Sequence, residues 1–373
     1  MPRAADPVTC NSTGLDCFAA GDPAAAEALL RQAFQGLAHE RGILVNLGLA
    51  LMQQGKVDQA ERCYRLALNS HELRVRRSAA KNLGFLLLWR GNHQQGWHWH
   101  GRRFEGEPFK VSEWRGDPLN GQPLTVWNDV GMGDAFQFVR YTLPLLQRGE
   151  KVRFAVAASQ IDLFRNHLAW ELTEVVDRQS VDHLHGGPHI PLMSLIPLLD
   201  GTTLWGRRFS EPTWRTTQSN DGAQEHVGLC WASNPQDRTM HAYKSCTPDQ
   251  LLALQQRLLP SCTPISLQTD ESEAHQRLKL QPARPDWSDT LKRIAHCQGV
   301  ISVDTAVAHL AAGSGRATTM MLSDPPDWRW RPVPEDPQAP LWYPSLQVAP
   351  ETLKPAASPL PASAGAPPGC GDD

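Results

Sequence analysis

Two strand-to-helix turns, one in each half of the chain, do most to limit what it can fold into. Val126-Trp-Asn-Asp-Val-Gly-Met-Gly-Asp134 runs from an apolar strand through glycines into a helix, and Val300-Ile-Ser-Val-Asp-Thr-Ala-Val-Ala-His-Leu310 does the same further on. Turns of this kind end parallel strands, where open α/β sheets gather their ligands. One in each half predicts two nucleotide-type folds facing a cleft.

The flanking pattern agrees. Strands are predicted over Leu124–Asn128, Val152–Ala157 and Thr173–Asp177, with helices over Asp134–Gln147 and from Ser159. After the polar stretch Thr216–Glu225, strands at Val227–Trp231, Pro264–Gln268, Val300–Val303 and Thr318–Leu322 alternate with helices at Thr247–Leu259, Ser288–Cys297 and Thr305–Gly313. The expected α/β units cover 121–215 and 225–350, and the Pro, Ala, Ser and Gly of 351–373 read as a disordered tail.

Ahead of them, residues 17–105 read as helical with a repeat. Gly21, Ala26, Leu30 and Ala33 return 34 residues later as Gly55, Ala60, Tyr64 and Ala67, the tetratricopeptide period. Asn46-Leu-Gly-Leu returns as Asn82-Leu-Gly-Phe, and Gly55 as Gly91. Small residues at fixed points let paired helices approach, and the glycines end the first helix of each pair. About two and a half units are legible; so short an array is expected to pack on the next domain. It serves either as a cap or as a groove for a polypeptide acceptor or partner.

A net charge of −3 without a basic run argues against nucleic acid. Eight scattered cysteines without a CxxC pair fit reduced thiols better than disulfides or zinc. The N-terminus lacks a basic-then-apolar signal, and no apolar run approaches the ~20 residues of a membrane span. The expectation is a soluble, cytoplasmic protein.

Several residues could carry chemistry. The glycines of Gly131-Met-Gly-Asp134 let backbone N–H groups approach a ligand. Asp134 at the helix start either caps free N–H groups or acts as a general base, with Asp129 as its nearby substitute. Asp304-Thr305 ends a strand and opens a helix, so the Thr305 and Ala306 amides offer a diphosphate site, and His309 one turn on shares that face. Trp231-Ala-Ser-Asn-Pro235 leads into a polar loop with Arg238, His241, Lys244 and Ser245, suited to neutralising a departing diphosphate. Asp327-Trp-Arg-Trp330 is either a pocket wall or two core anchors around an exposed arginine. His183, His185 and His189 with Asp182 fit no standard metal spacing, so no metal is expected.

Together these segments resemble bacterial tetratricopeptide-repeat proteins with a C-terminal glycosyltransferase domain, related to the lipopolysaccharide heptosyltransferases of glycosyltransferase family 9. The resemblance covers roughly 40–345. It rests on Gly96-Trp97, Arg102-Arg-Phe104, Trp114-Arg-Gly, Gly131-Met-Gly-Asp134 with Gln137-Phe-Val-Arg-Tyr141, and Pro191-Leu-Met-Ser-Leu195. It continues in Gly228-Leu-Cys-Trp-Ala-Ser-Asn-Pro235, Ser302–Leu310, Asp327–Trp330 and Trp342-Tyr-Pro344.

The resemblance implies a GT-B fold, two Rossmann-like domains with the nucleotide-sugar donor held mainly by the second. It implies inversion at the anomeric carbon without a metal or other cofactor. Asp134 would be the base and Lys244 the phosphate contact. Asn234, Ser245, Asp304, Thr305, Ala306 and His309 would lie at the donor. Asp129, Gly131, Gly133, Gln137 and Trp328 would line the acceptor side or wall the pocket. Relatives often have arginine where this chain has Lys244, so the charge is kept and the bidentate fork is lost. The acceptor would be a glycan, a lipid or a protein. The alternatives are a non-catalytic interaction protein on a degenerate transferase fold, and, more weakly, a nucleotide-sugar hydrolase or epimerase.

Overall fold

The computed structural model describes residues 6–106, 113–179, 187–199, 209–216, 225–269, 272–331, 342–351 and 353. Asp182, His183, His185 and nearly all of the tail expected at 351–373 lie outside the described residues.

Six helices come first: α1 (Pro7–Ala19), α2 (Pro23–Gly36), α3 (Gly42–Gln53), α4 (Val57–Ala67), α5 (Leu73–Trp89) and α6 (His93–Gly101). They form three pairs, so the repeat is fuller than its sequence shows. The first begins at Pro7 rather than 17, because Asp6 caps it by accepting from Thr9 N at 3.0 Å. Gly21, Gly55 and Gly91 take left-handed backbone between the members of each pair. The repeated Asn-Leu-Gly has a packing cause. A Cβ on Gly48 would lie 2.3 Å from the Tyr64 ring, and one on Gly84 2.6 Å from His100 N. Only glycine lets α3 meet α4, and α5 meet α6, that closely.

The rest is α/β, with two parallel sheets. The first has the order β3-β2-β1-β4, from β1 (Leu124–Trp127), β2 (Val152–Val156), β3 (Glu174–Asp177) and β4 (His189–Pro191). Val126 lies opposite Phe154 on one side and Ile190 on the other. Between these strands run α7 (Met132–Phe138), α8 (Leu143–Gln147) and α9 (Ile161–His167), and α10 (Leu192–Leu199) follows β4. The helix expected over Asp134–Gln147 is thus broken. A 3-10 segment, Val139–Thr142, separates α7 from α8, where Pro144 stands in the first turn.

The second sheet has the order β6-β5-β7-β8-β9. Its strands are β5 (His226–Cys230), β6 (Thr263–Ser266), β7 (Cys297–Val303), β8 (Thr318–Met321) and β9 (Leu346–Val348). Its helices are α11 (Arg238–Lys244), α12 (Pro248–Leu258), α13 (Glu273–Leu278), α14 (Trp287–Ala295) and α15 (Ala306–Gly313). Strands β1 and β8 are buried throughout, as parallel strands covered by helices on both faces must be.

The strand orders place the site. In the first sheet the direction of winding reverses between β1 and β4, and in the second between β5 and β7. Ligands bind beyond the carboxyl ends of strands at such reversals. Those ends carry Gly131–Asp134 in one sheet, and Trp231–Pro235 and Asp304–Thr305 in the other.

The helical region joins the same body. Leu88 and Trp97 belong to one apolar cluster with the first sheet and with α15. The Arg103 guanidinium donates to Asp129 at 2.6 Å, and the Trp89 indole N–H donates to the Pro326 carbonyl at 2.9 Å. Among the described residues, no helix is long and apolar enough to cross a membrane.

Candidate functional site

The two sets of strand ends face one cleft of about 690 Å³, lined from both halves. On the first side, α7 starts at Met132 with Gly131 as its cap residue. Asp134 is therefore the third helical residue rather than the cap. Its carboxylate is instead held by the Arg329 guanidinium, which comes from a 3-10 turn at Trp328–Trp330. Arg329 also donates to Asp327 at 2.9 Å. Burial pushes the Asp134 carboxyl above its ordinary value, against the opposing pull of Arg329.

On the second side, α15 opens at Ala306 with Thr305 as its cap residue, and no side chain caps the first-turn amides. These N–H groups and the positive end of the helix dipole are free for an anion. Lys244 Nζ donates to Asp304 at 2.7 Å beside them. Burial works against the Lys244 charge, but the Asp304 carboxylate outweighs it and holds the ammonium above its ordinary value. Burial alone would raise Asp304; Lys244 overrides it and keeps the carboxyl far below the usual range. The pair is charged. His309 is driven down to about 3 by burial and stays neutral. Its Nδ1 lies 3.0 Å from the Tyr343 hydroxyl, and its ring stacks on Trp330.

The two sides touch. A Cβ on Gly133 would sit 3.0 Å from His309 Cδ2 and 3.4 Å from Ala306 N, so α7 crosses the start of α15 with glycine at the crossing.

Of the thirteen residues that the resemblance assigns to the site, Gly131, Gly133, Asp134, Asn234, Lys244, Asp304, Thr305, Ala306 and His309 line the cleft. Four lie elsewhere. The Asp129 side chain is fully buried against Arg103 and accepts from Met193 N, which joins the first sheet to the helical region. Gln137 is wholly buried on α7. Ser245 sits behind the loop, its Oγ accepting from Ser233 N at 3.0 Å. Trp328 is a core anchor among Trp97, Phe138 and Trp342 rather than a pocket wall.

Three further points refine the sequence reading. Arg329 is buried rather than exposed. The segment carrying Lys244 is helix α11 rather than loop, because Asp237 caps it by accepting from Met240 N. His189, drawn into the metal reading, lies buried in β4 with Nδ1 accepting from Trp127 Nε1 at 3.2 Å. Among the described residues, no group of three or more His, Cys, Asp or Glu is placed to hold a metal ion. The sequence reading left Cys230, Gln268 and Trp287 unassigned, and all three line the cleft.

Comparisons with known proteins extend the description. A family model described as a tetratricopeptide repeat matches residues 18–83. No curated protein sequence matches the chain. Among solved structures, the chain is similar to the Escherichia coli heptosyltransferase WaaC with ADP, at 14% identity and a TM-score of 0.40, over 61% of this chain and 92% of that one. It is similar to the E. coli ADP-heptose lps heptosyltransferase II at 12% identity and a TM-score of 0.42, over 61% and 90%. A third is the iron-containing dodecameric glycosyltransferase TibC from enterotoxigenic E. coli H10407, at 9% identity and a TM-score of 0.40, over 60% of this chain. The chain spans 62% of that TibC chain, and 58% of TibC in its complex with ADP-D-beta-D-heptose.

Proposed function

We propose that the chain is a glycosyltransferase of GT-B type that moves a sugar from a nucleotide-sugar donor to an acceptor hydroxyl, with inversion and without a metal. One observation carries the reading. A carboxylate with heightened proton affinity, Asp134, shares a cleft with an uncapped helix N-terminus and a charged lysine.

In this reading the donor diphosphate lies on the Thr305 and Ala306 amides, with Lys244 turning from Asp304 toward it. Asp304, Asn234 and His309 shape that side, and Ser245 acts by holding the loop. Asp134 takes the acceptor O–H proton as the oxygen bonds to the anomeric carbon. The bond from that carbon to the diphosphate breaks, and its electron pair leaves with the phosphate oxygen. The amides and Lys244 stabilise the charge that develops there. Inversion follows from the single displacement.

The acceptor is a glycan, lipid or protein. The helical repeats contact the same body and supply a surface for a protein partner. Among the described residues no cysteine is in a disulfide, which suits a cytoplasmic location.

Titration against nucleoside diphosphates and their sugars tests the donor site, and no binding to any of them refutes it. Asp134→Asn keeps the shape of the side chain. It should retain donor binding and lose about 10²–10⁴ in transfer rate. The second reading, a non-catalytic interaction protein, draws on the engagement of Asp134 by Arg329. It predicts donor binding with neither transfer nor hydrolysis.

A further inference from the structure

We infer that Arg329 is an exchangeable counter-ion, holding Asp134 while the cleft is empty and passing to the diphosphate when the donor binds. Asp134 is then released to act as base only in the loaded enzyme. This inference rests on the glycosyltransferase reading above.

The first argument is charge. The groups bearing on Asp134 are Arg329 and Asp327 from the Trp328–Trp330 turn, Lys244 from α11, and Asp304 before α15. His309 faces the same cluster and is neutral. Lining the cleft, Asp134, Asp237, Asp286 and Asp304 stand against Lys244 and Arg329, with Arg140 buried behind His309, so the floor is net negative. A diphosphate bearing two further negative charges is repelled from such a floor unless the cations re-aim toward it. Lys244 turning from Asp304 brings a single positive charge against two negative ones, so a second cation is needed.

The second argument is geometry. The two guanidinium nitrogens have different partners: one engages Asp134 and the other Asp327. Asp327 can keep its hold while the first nitrogen changes partner, so the fork pivots without leaving its turn. Arginine suits both roles, since its planar donors match carboxylate and phosphate alike. The exposures fit this arrangement: the Arg329 side chain is 7% exposed and that of Asp134 25%. The cation is anchored in the wall, and the carboxylate has an open face for an acceptor hydroxyl.

One movement then does two things. It brings positive charge to the leaving group, and it removes positive charge from the base. The proton affinity of Asp134 rises in the donor complex, so donor binding near its titration range takes up a proton.

The test is calorimetric and needs no turnover. ADP-, UDP- and GDP-sugars are titrated into the full chain in buffers of different ionisation enthalpy, on the acid side of neutrality. These diphosphate diesters have no group of their own titrating there, so the protons counted belong to the protein. Wild type should take up a fraction of a proton per donor, Asp134→Asn none, and Arg329→Gln much less than wild type with at least tenfold weaker binding. Arg329→Lys should restore part of both, and serves if the glutamine variant does not fold. Donor binding without proton uptake overturns the exchange alone, as does uptake undiminished in Asp134→Asn or in the Arg329 variants. Failure of every donor to bind removes the donor site, and the exchange with it.

Discussion

His309 shows how burial sets behaviour at the scale of one residue. Its ring is enclosed by Tyr343 and Trp330, and burial drives its pKa to about 3. The unfolded chain takes up a proton at this residue as pH falls below 6.5, while the folded protein does not. His100 is pushed the same way by burial beside Arg103. A base whose folded pKa is lowered costs stability below its unfolded value, so the loss begins near pH 6.5, well above the carboxylate range. It amounts to at most about 1.4 kcal/mol per pH unit per histidine. Denaturant midpoints measured down to pH 4.5 should fall in wild type and fall less steeply in His309→Gln, which keeps His100. Identical curves for the two proteins would contradict this.

Lys244 and Asp304 have opposite signs in the same window. Asp304 is depressed and Lys244 raised, so their mutual stabilisation is full between their unfolded values. It fades as pH falls below 3.8 or climbs through the raised lysine value. Lys244→Met leaves Asp304 buried without its ammonium partner and should cost about 3 kcal/mol, read from the midpoint at pH 7. Asp134, Asp304 and Thr305 stood out in the sequence because each follows a strand at a turn, whereas Lys244 was picked from its polar segment by the resemblance alone. The tie from Arg329 to Asp134 was not. The two are 195 residues apart, and no local pattern records so distant a pairing.

At the scale of elements, the crossing of α7 over α15 matters most. Gly133 stands where the two backbones meet, and its neighbours give way only at a cost: His309 is stacked, and Ala306 is main chain. Gly133→Ala should therefore cost about 1–3 kcal/mol as overpacking, despite alanine's better helix propensity. Donor affinity should fall with it, because the Ala306 amide is displaced. A midpoint equal to or above wild type would mean that the crossing has slack. The glycine itself was visible in the sequence as part of a turn, whereas its role in a helix crossing belongs to the packed pair. Strands β4 and β9 were missed for another reason. Each is three residues long, too short for any periodicity to show. Their neighbours were legible because longer apolar runs ended at glycines and caps.

At the scale of the molecule, the helical region is packed onto the α/β body through shared apolar and polar contacts. The sequence showed the repeat and its need for a neighbour, since so short an array cannot bury its own faces. It could not show which surface is shared. The contacts converge on the segment that presents Arg329: the Trp89 indole N–H reaches the Pro326 carbonyl, the Arg331 guanidinium lies 4.1 Å from the centre of the Trp89 ring, and Trp97 packs edge-on against Trp328. The Arg103–Asp129 pair fastens the same helices to the end of β1, with the Asp129 side chain fully buried. Separate unfolding of the two regions would expose that carboxylate and the indoles together, so calorimetry should show a single cooperative transition. Arg103→Met leaves Asp129 buried without its cation and should cost about 3 kcal/mol. The whole transition should move down rather than split. Two resolved transitions in wild type, or an Arg103→Met variant in which only a helical component melts early, would show that the repeats fold apart from the cleft they brace.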